Sequence, residues 1–138
     1  MRLDEKGFPI IEVIPVFEKN GERFFSQFNL KAVIDTGAYN CFIAKELIFQ
    51  LGLVPKEKKI KINKLLSGIC ETETYDFLIN IPIIDKTIGF EVCERIGDYP
   101  YPIILGNYFL ENFEFNYNGR LKTFDLKFLE NNNNEFNV

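Results

Sequence analysis

The sequence predicts an all-β domain carrying one or two short helices, and three observations lead there. Short apolar stretches rich in β-branched and aromatic residues recur at 10–17, 23–34, 75–84, 89–93, 103–106, 113–117 and 121–128, which is how strands read. Turn signals divide them, among them Asn20-Gly21 and Asn118-Gly119, pairs that supply the positive φ of tight hairpins. Helical spacing is confined to 43–51 and a shorter piece at 108–113.

Taken in order, residues 1–9 are polar and predict an arm. The stretch 10–17 predicts a strand in which Pro15 must sit at an edge or a bulge, because it has no N–H to give a ladder. After the turn at 18–22, residues 23–34 return as one long or broken strand. In the 43–51 helix Leu47, Ile48 and Leu51 share one face; Gly52 stands where a left-handed cap belongs and Pro55 follows as a stop. That face most simply packs on the sheet. The basic, partly alternating segment 56–64 precedes Leu65 to Cys70, and a strand at 75–84 follows. Asp85 reads as a turn residue: Asp85-Lys86-Thr87 opens like the phosphorylated motif of ion-pumping ATPases, but Ile88-Gly89 then breaks the match. Residues 97–100 predict a loop. Strict two-residue pairing around Asn118-Gly119 would set Phe115 against Lys122, which predicts a bulge or a longer loop there. The polar run 131–134 predicts a frayed tail, so the chain divides into an arm at 1–9, a domain at 10–129 and a polar tail at 130–138.

Composition narrows the chemistry. The 138 residues are 46% hydrophobic and 15% aromatic, enough to bury a core in one domain. Sixteen basic against twenty acidic residues leave a net charge of −4, and without a basic block nucleic-acid binding is not expected. No apolar run has the length of a membrane span, and the charged start Met1 to Lys6 has no apolar core behind it, so neither a membrane segment nor a secretory signal is expected. Cys41, Cys70 and Cys93 are odd in number and scattered, which favours a reducing cytoplasm over a disulfide framework or a zinc site. Histidine is absent. That excludes Ser-His-Asp and Cys-His catalysis and leaves carboxylates as the main acid–base candidates. No cofactor or metal is expected.

The stretch Leu30-Lys31-Ala32-Val33-Ile34-Asp35-Thr36-Gly37-Ala38 concentrates that chemistry. An apolar strand ends abruptly in a carboxylate, a hydroxyl, a glycine and a small residue. A carboxylate at the end of a buried strand is costly unless it is hydrogen-bonded. Gly37 allows a sharp turn beside it, with N–H groups aimed at the carboxylate, and Thr36 adds a hydroxyl. An ordinary strand-to-turn junction uses the same residue types, so the triplet alone is insufficient. A second element adds to it: Ile103-Ile104-Leu105-Gly106-Asn107, an apolar strand ending at glycine, followed by the helix-like Tyr108 to Phe113.

A strand, Asp-Thr-Gly-Ala, a glycine-tipped middle segment, then Ile-Leu-Gly and a short helix, in this order, resembles the retropepsin-like aspartic proteases. The resemblance spans 10–128, and its most specific parts are 32–38 and 103–106. It implies a closed-barrel-like acid-protease fold, active as a homodimer. It further implies that Asp35 is the catalytic carboxylate and that Thr36, Gly37 and Ala38 support the active-site loop. The residue matching Thr36 would bond to the partner's loop. Ile104, Leu105 and Gly106 would pack behind the site, and a flap carrying Ser67, Gly68 and Ile69 would fold over a bound peptide. A plain surface turn remains the alternative for that segment. Two positions depart from the viral pattern: an Asp–Arg ion pair that supports the viral dimer is replaced by Tyr39 and Asn107. The pattern is therefore closer to bacterial and cellular single-domain relatives.

The other aspartates, Asp4, Asp76, Asp85, Asp98 and Asp125, lack a following Thr-Gly or Ser-Gly. A proteolytic site with two carboxylates must then take its second from another copy of the chain. An aspartic endopeptidase acting on peptides or proteins is the leading expectation. A catalytically silent, dimeric peptide-binding or assembly module of the same fold is the alternative, and an unrelated all-β domain with a chance Asp-Thr-Gly is the third.

Overall fold

A computed structural model of the chain describes residues 1–57, 59–64, 68–95 and 99–129. Strand β1 (Ile10–Lys19) turns through Asn20 and Gly21, both at positive φ, into β2 (Glu22–Phe25), as the Asn-Gly pair predicts. The returning strand then breaks across 26–29 and resumes as β3 (Leu30–Ile34), paired with Ile10 to Val13 of β1. Pro15 lies opposite this break. Its carbonyl accepts the Ser26 N–H at 2.9 Å, and a residue's N and O face the same side of an antiparallel strand. The missing N–H therefore points where the returning strand interrupts its ladder.

The next strand was not foreseen from the sequence. Residues 42–43 form a two-residue β4 (Phe42–Ile43), and the helix begins after it, as α1 (Lys45–Leu51). Leu47 and Ile48 are buried, and Gly52 closes the helix at φ 65. Strands β5 (Lys59–Lys64) and β6 (Gly68–Ile81) pair as an antiparallel hairpin. The rest of β6, from Thr74, pairs with β7 (Lys86–Glu94) and also lies against Ile14 to Val16 of β1. Between β6 and β7 comes a 3₁₀ turn (Pro82–Ile84) capped by Asp85 at φ 52, the turn role expected of that aspartate. Strand β8 (Ile103–Leu105) runs parallel to β3 and antiparallel to β4.

Six strands thereby close on themselves in the order β1, β3, β8, β4, β7, β6. The fold is mostly β with two short helices around a barrel-like sheet, as the sequence predicts. Strands β3 and β8 are buried along Ala32 to Ile34 and Ile103 to Leu105. Their continuous apolar character reflects burial on both faces. In α2 (Asn107–Leu110) Phe109 is fully buried, stacks on Phe113 at 4.8 Å and meets Phe90 edge-on at 5.3 Å.

Strands β9 (Phe113–Asn118) and β10 (Thr123–Phe128) form a separate two-stranded sheet. Phe115 faces Leu126 and Phe124 faces Tyr117, with a four-residue connection at 119–122. This is the longer loop that the apolar parity requires. Residues 1–9 reach the second sheet: Arg2 bridges to Thr123, and Phe124 N–H donates to Met1 O at 2.8 Å. Among the described residues no helix is long and apolar enough to cross a membrane. Of the predicted loop at 97–100, residues 97 and 98 lie outside the described residues, as does the tail at 130–138.

Candidate active site

Asp35 follows the last residue of β3, and the ladder with β8 continues through it: its N–H donates to Leu105 O at 2.9 Å. The side chain is partly buried. Oδ1 accepts the Gly37 N–H at 2.9 Å, and Asp35 O accepts the Ala38 N–H at 3.2 Å. The loop thus folds back on its own carboxylate. Space beside Gly37 is tight, and a side chain there would press on the carboxylate. A Cβ on it would stand 3.2 Å from Asp35 Oδ1.

At Gly106 space demands glycine. Ala38 O and Tyr39 O would each lie 2.7 Å from a Cβ placed on it, and Asn40 O closer still. Side chains larger than hydrogen would collide with backbone, which cannot swing away. Around this contact the start of α2 is sewn to the Asp35 loop. Asn107 N–H donates to Ala38 O at 2.8 Å, Tyr108 N–H to Tyr39 O at 2.9 Å, and Asn107 Nδ2 to Thr36 O at 2.9 Å. First-turn N–H groups of a helix lack partners inside it; here the loop carbonyls supply them. Buried Cys41 accepts the Gly106 N–H on Sγ at 3.4 Å, and burial pushes its thiol up to about 11.

Tyr39 and Asn107 both find partners within the chain. Tyr39 Oη donates to Glu111 Oε2 at 3.3 Å, and its ring lies 6.1 Å from that of Tyr108. Thr36 is exposed. Ile104 and Leu105 are buried in β8. Of the residues expected at a flap, Ser67 lies outside the described residues, whereas Gly68 and Ile69 open β6 and pair with Lys64 and Asn63.

Tyr99 was missed in the sequence. Burial raises its phenol pKa, and the charge of Asp35 adds to the effect, so the two side chains are electrostatic neighbours. Arg95 Nη1 holds this segment by donating to Tyr99 O and Tyr101 O, each at 3.1 Å. The available signal was Tyr99-Pro100-Tyr101-Pro102, aromatic residues leading into a strand that runs beside β3. Among the described residues no three metal-ligating side chains gather. A groove of about 550 Å³ lined by Phe17, Leu53, Lys56, Asp76, Glu91 and Tyr108 does not include Asp35; there Lys56 Nζ bridges Glu91 at 2.7 Å and Asp76 at 3.1 Å.

By sequence, the chain matches no protein-family model and no curated protein. By structure it is similar to a retropepsin-like aspartic protease from Rickettsia conorii, with a TM-score of 0.64 and 18% identity over 93% of this chain and 88% of that one. The simian foamy virus protease overlaps with a TM-score of 0.47 at 17% identity, covering 75% of this chain and 92% of its own. The retroviral protease-like domain of Ddi1 from Leishmania major gives 0.46 at 16% identity, covering 87% and 94%. At such identities the likeness concerns the fold, and the assignment rests on the Rickettsia structure: the chain has a retropepsin-like fold.

Proposed function

We propose that the chain is an aspartic endopeptidase that works as a homodimer, with Asp35 of each copy forming the catalytic pair. The observation that carries this reading is the carboxylate of Asp35, partly exposed at the end of a buried strand, with its backbone tied to Leu105 and Oδ1 bonded by Gly37 N–H. Binding alone has no need of a charge at such a point. Two carboxylates roughly 3 Å apart cannot both ionise easily and hold one proton between them. The ionised member takes a proton from water as the water oxygen attacks the peptide carbonyl carbon. The protonated member gives its proton to the carbonyl oxygen. Proton transfer to the amide nitrogen then breaks the C–N bond, and no covalent intermediate with the enzyme is needed.

One Asp-Thr-Gly per chain makes the second copy a chemical requirement, met across a two-fold axis. The catalytic unit is 10–129. In this reading Thr36 bonds across to the partner's loop, Gly37 and Ala38 let the substrate backbone lie close, and the β5–β6 hairpin with Ser67, Gly68 and Ile69 is the flap. The peptide lies extended, held largely by main-chain hydrogen bonds. Buried free thiols at Cys41 and Cys93 suit a reducing cytoplasm.

A peptide-library cleavage assay on wild type and Asp35→Asn tests the chemistry, and dilution tests the dimer. Specific activity should fall on dilution through the dimer dissociation constant. A tethered dimer with a single Asp35 should be inactive; cleavage at the rate of the tethered wild type would sink the two-chain site.

A further inference from the structure

We propose that Asn107 is a positioning residue for Asp35, acting through the peptide group between Thr36 and Gly37. This rests on the reading that Asp35 is catalytic. One peptide plane carries both contacts: its C=O accepts from Asn107 Nδ2 at 2.9 Å, and its N–H donates to Asp35 Oδ1 at 2.9 Å. The C=O and N–H of a trans peptide point in opposite directions, so the Asn107 amide, the peptide and the carboxylate form one chain of hydrogen bonds.

The orientation of the Asn107 amide follows from its partner. A carbonyl oxygen only accepts, so the NH₂ end must face Thr36. Donation to the carbonyl polarises the peptide and strengthens its N–H as a donor, as successive hydrogen bonds do. It also stops the plane from rotating, which would carry the N–H away from the carboxylate. Asn107 itself is held, because its backbone N–H is bonded to Ala38 O at 2.8 Å as the first residue of α2. Side chain and backbone of one residue therefore grip the loop on both sides of Gly37. The aim of the Asp35 carboxylate is set from β8 and α2, 72 residues further along the chain.

The test uses Asn107→Asp, which keeps the shape and removes the donor, and Asn107→Ala. Two readouts are taken on the full chain: peptide cleavage, and the Gly37 amide in a proton–nitrogen correlation spectrum. Losing one hydrogen bond of this kind should lower kcat about tenfold, with KM held within roughly twofold, since the effect falls on the reacting group and not on peptide binding. The Gly37 amide proton should move upfield in both variants and exchange faster, while amides remote from the loop keep their positions. Wild-type kcat with an unmoved Gly37 amide in both variants overturns the proposal. A wild type that cleaves nothing, or an active Asp35→Asn, defeats the catalytic reading instead. In that event the positioning role in catalysis falls with it, and the Gly37 amide alone decides whether the hydrogen-bonded relay exists.

Discussion

The N–H of Asp35 donates to the carbonyl of Leu105 at 2.9 Å, carrying the parallel β3–β8 ladder one residue past Ile34. The carboxylate is thus mounted on barrel backbone, although the loop beyond it is exposed. Asp35→Asn keeps both the ladder bond and an oxygen for Gly37 N–H. It should therefore fold with a melting temperature within about 5 °C of wild type, while cleavage falls by about 10⁴-fold or more. Near-wild-type cleavage in this variant would remove Asp35 from the catalytic role.

Gly106 tests the packing behind the loop. Gly106→Ala must push a methyl group into Asn40, Ala38 and Tyr39 carbonyls, and backbone yields only by moving the Asp35 loop or α2. A cost of about 3 kcal/mol is expected, read as a Tm lower by about 10 °C. A fully stable Gly106→Ala would mean that loop and helix are not in contact as described.

Cysteine accessibility gives a test independent of function. Burial pushes Cys41 up to about 11 and Cys93 up to about 12, and the thiolate is the reactive form. In folded protein at pH 8 both should resist iodoacetamide for hours, and both should be modified within minutes in denaturant. Mass spectrometry after peptide digestion reads each site. Modification of native protein at the unfolded rate would refute their burial.

A fourth test concerns the clasp between the N-terminal segment and the approach to β8. Tyr101 Oη donates to Asp4 Oδ2, while Oδ1 accepts from Lys6 and Phe8 N–H at 2.9 and 2.7 Å. The Tyr101 bond, aided by these N–H groups and opposed by burial, holds the Asp4 carboxyl below its usual 3.8. The same bond to Asp4 raises the Tyr101 phenol, with burial adding to it. A depressed carboxyl stabilises above its unfolded value and loses that contribution as pH falls through the folded one. A raised phenol, favoured in its protonated form, loses its contribution as pH climbs through its folded value. The Tm gap between wild type and Tyr101→Phe should thus be widest between these limits and close towards both, in acid below the ordinary carboxylate range and in strong alkali. A gap of constant size across that span would deny the hydrogen bond.

Local chemistry sufficed for much of the chain. Asn20-Gly21 dictates a positive-φ turn, Gly52 a helix cap and Asp85 a turn, because each answers to φ and ψ at one or two positions. The β-branched run into Asp35 marks a strand end for the same reason, and a period of two residues was enough to show that Phe115 and Lys122 do not suit a strict two-residue hairpin. Other features depend on partners far away in sequence. Phe42 and Ile43 are too few to show a period, and they form a strand only because β7 and β8 flank them. The parallel pairing of β3 with β8 needs a long crossover, so nothing near Asp35 announces that Leu105 will receive its N–H. Tyr99 reaches the neighbourhood of Asp35, and Asn107 reaches Thr36, by that same pairing. The N-terminal residues, polar enough to read as an arm, are tied down by Thr123, Phe124 and Tyr101. Sequence determined which residue types stand at each strand end, since propensity acts over a few bonds; tertiary structure decided which ends meet, since parallel pairing and close packing join residues that share no local signal.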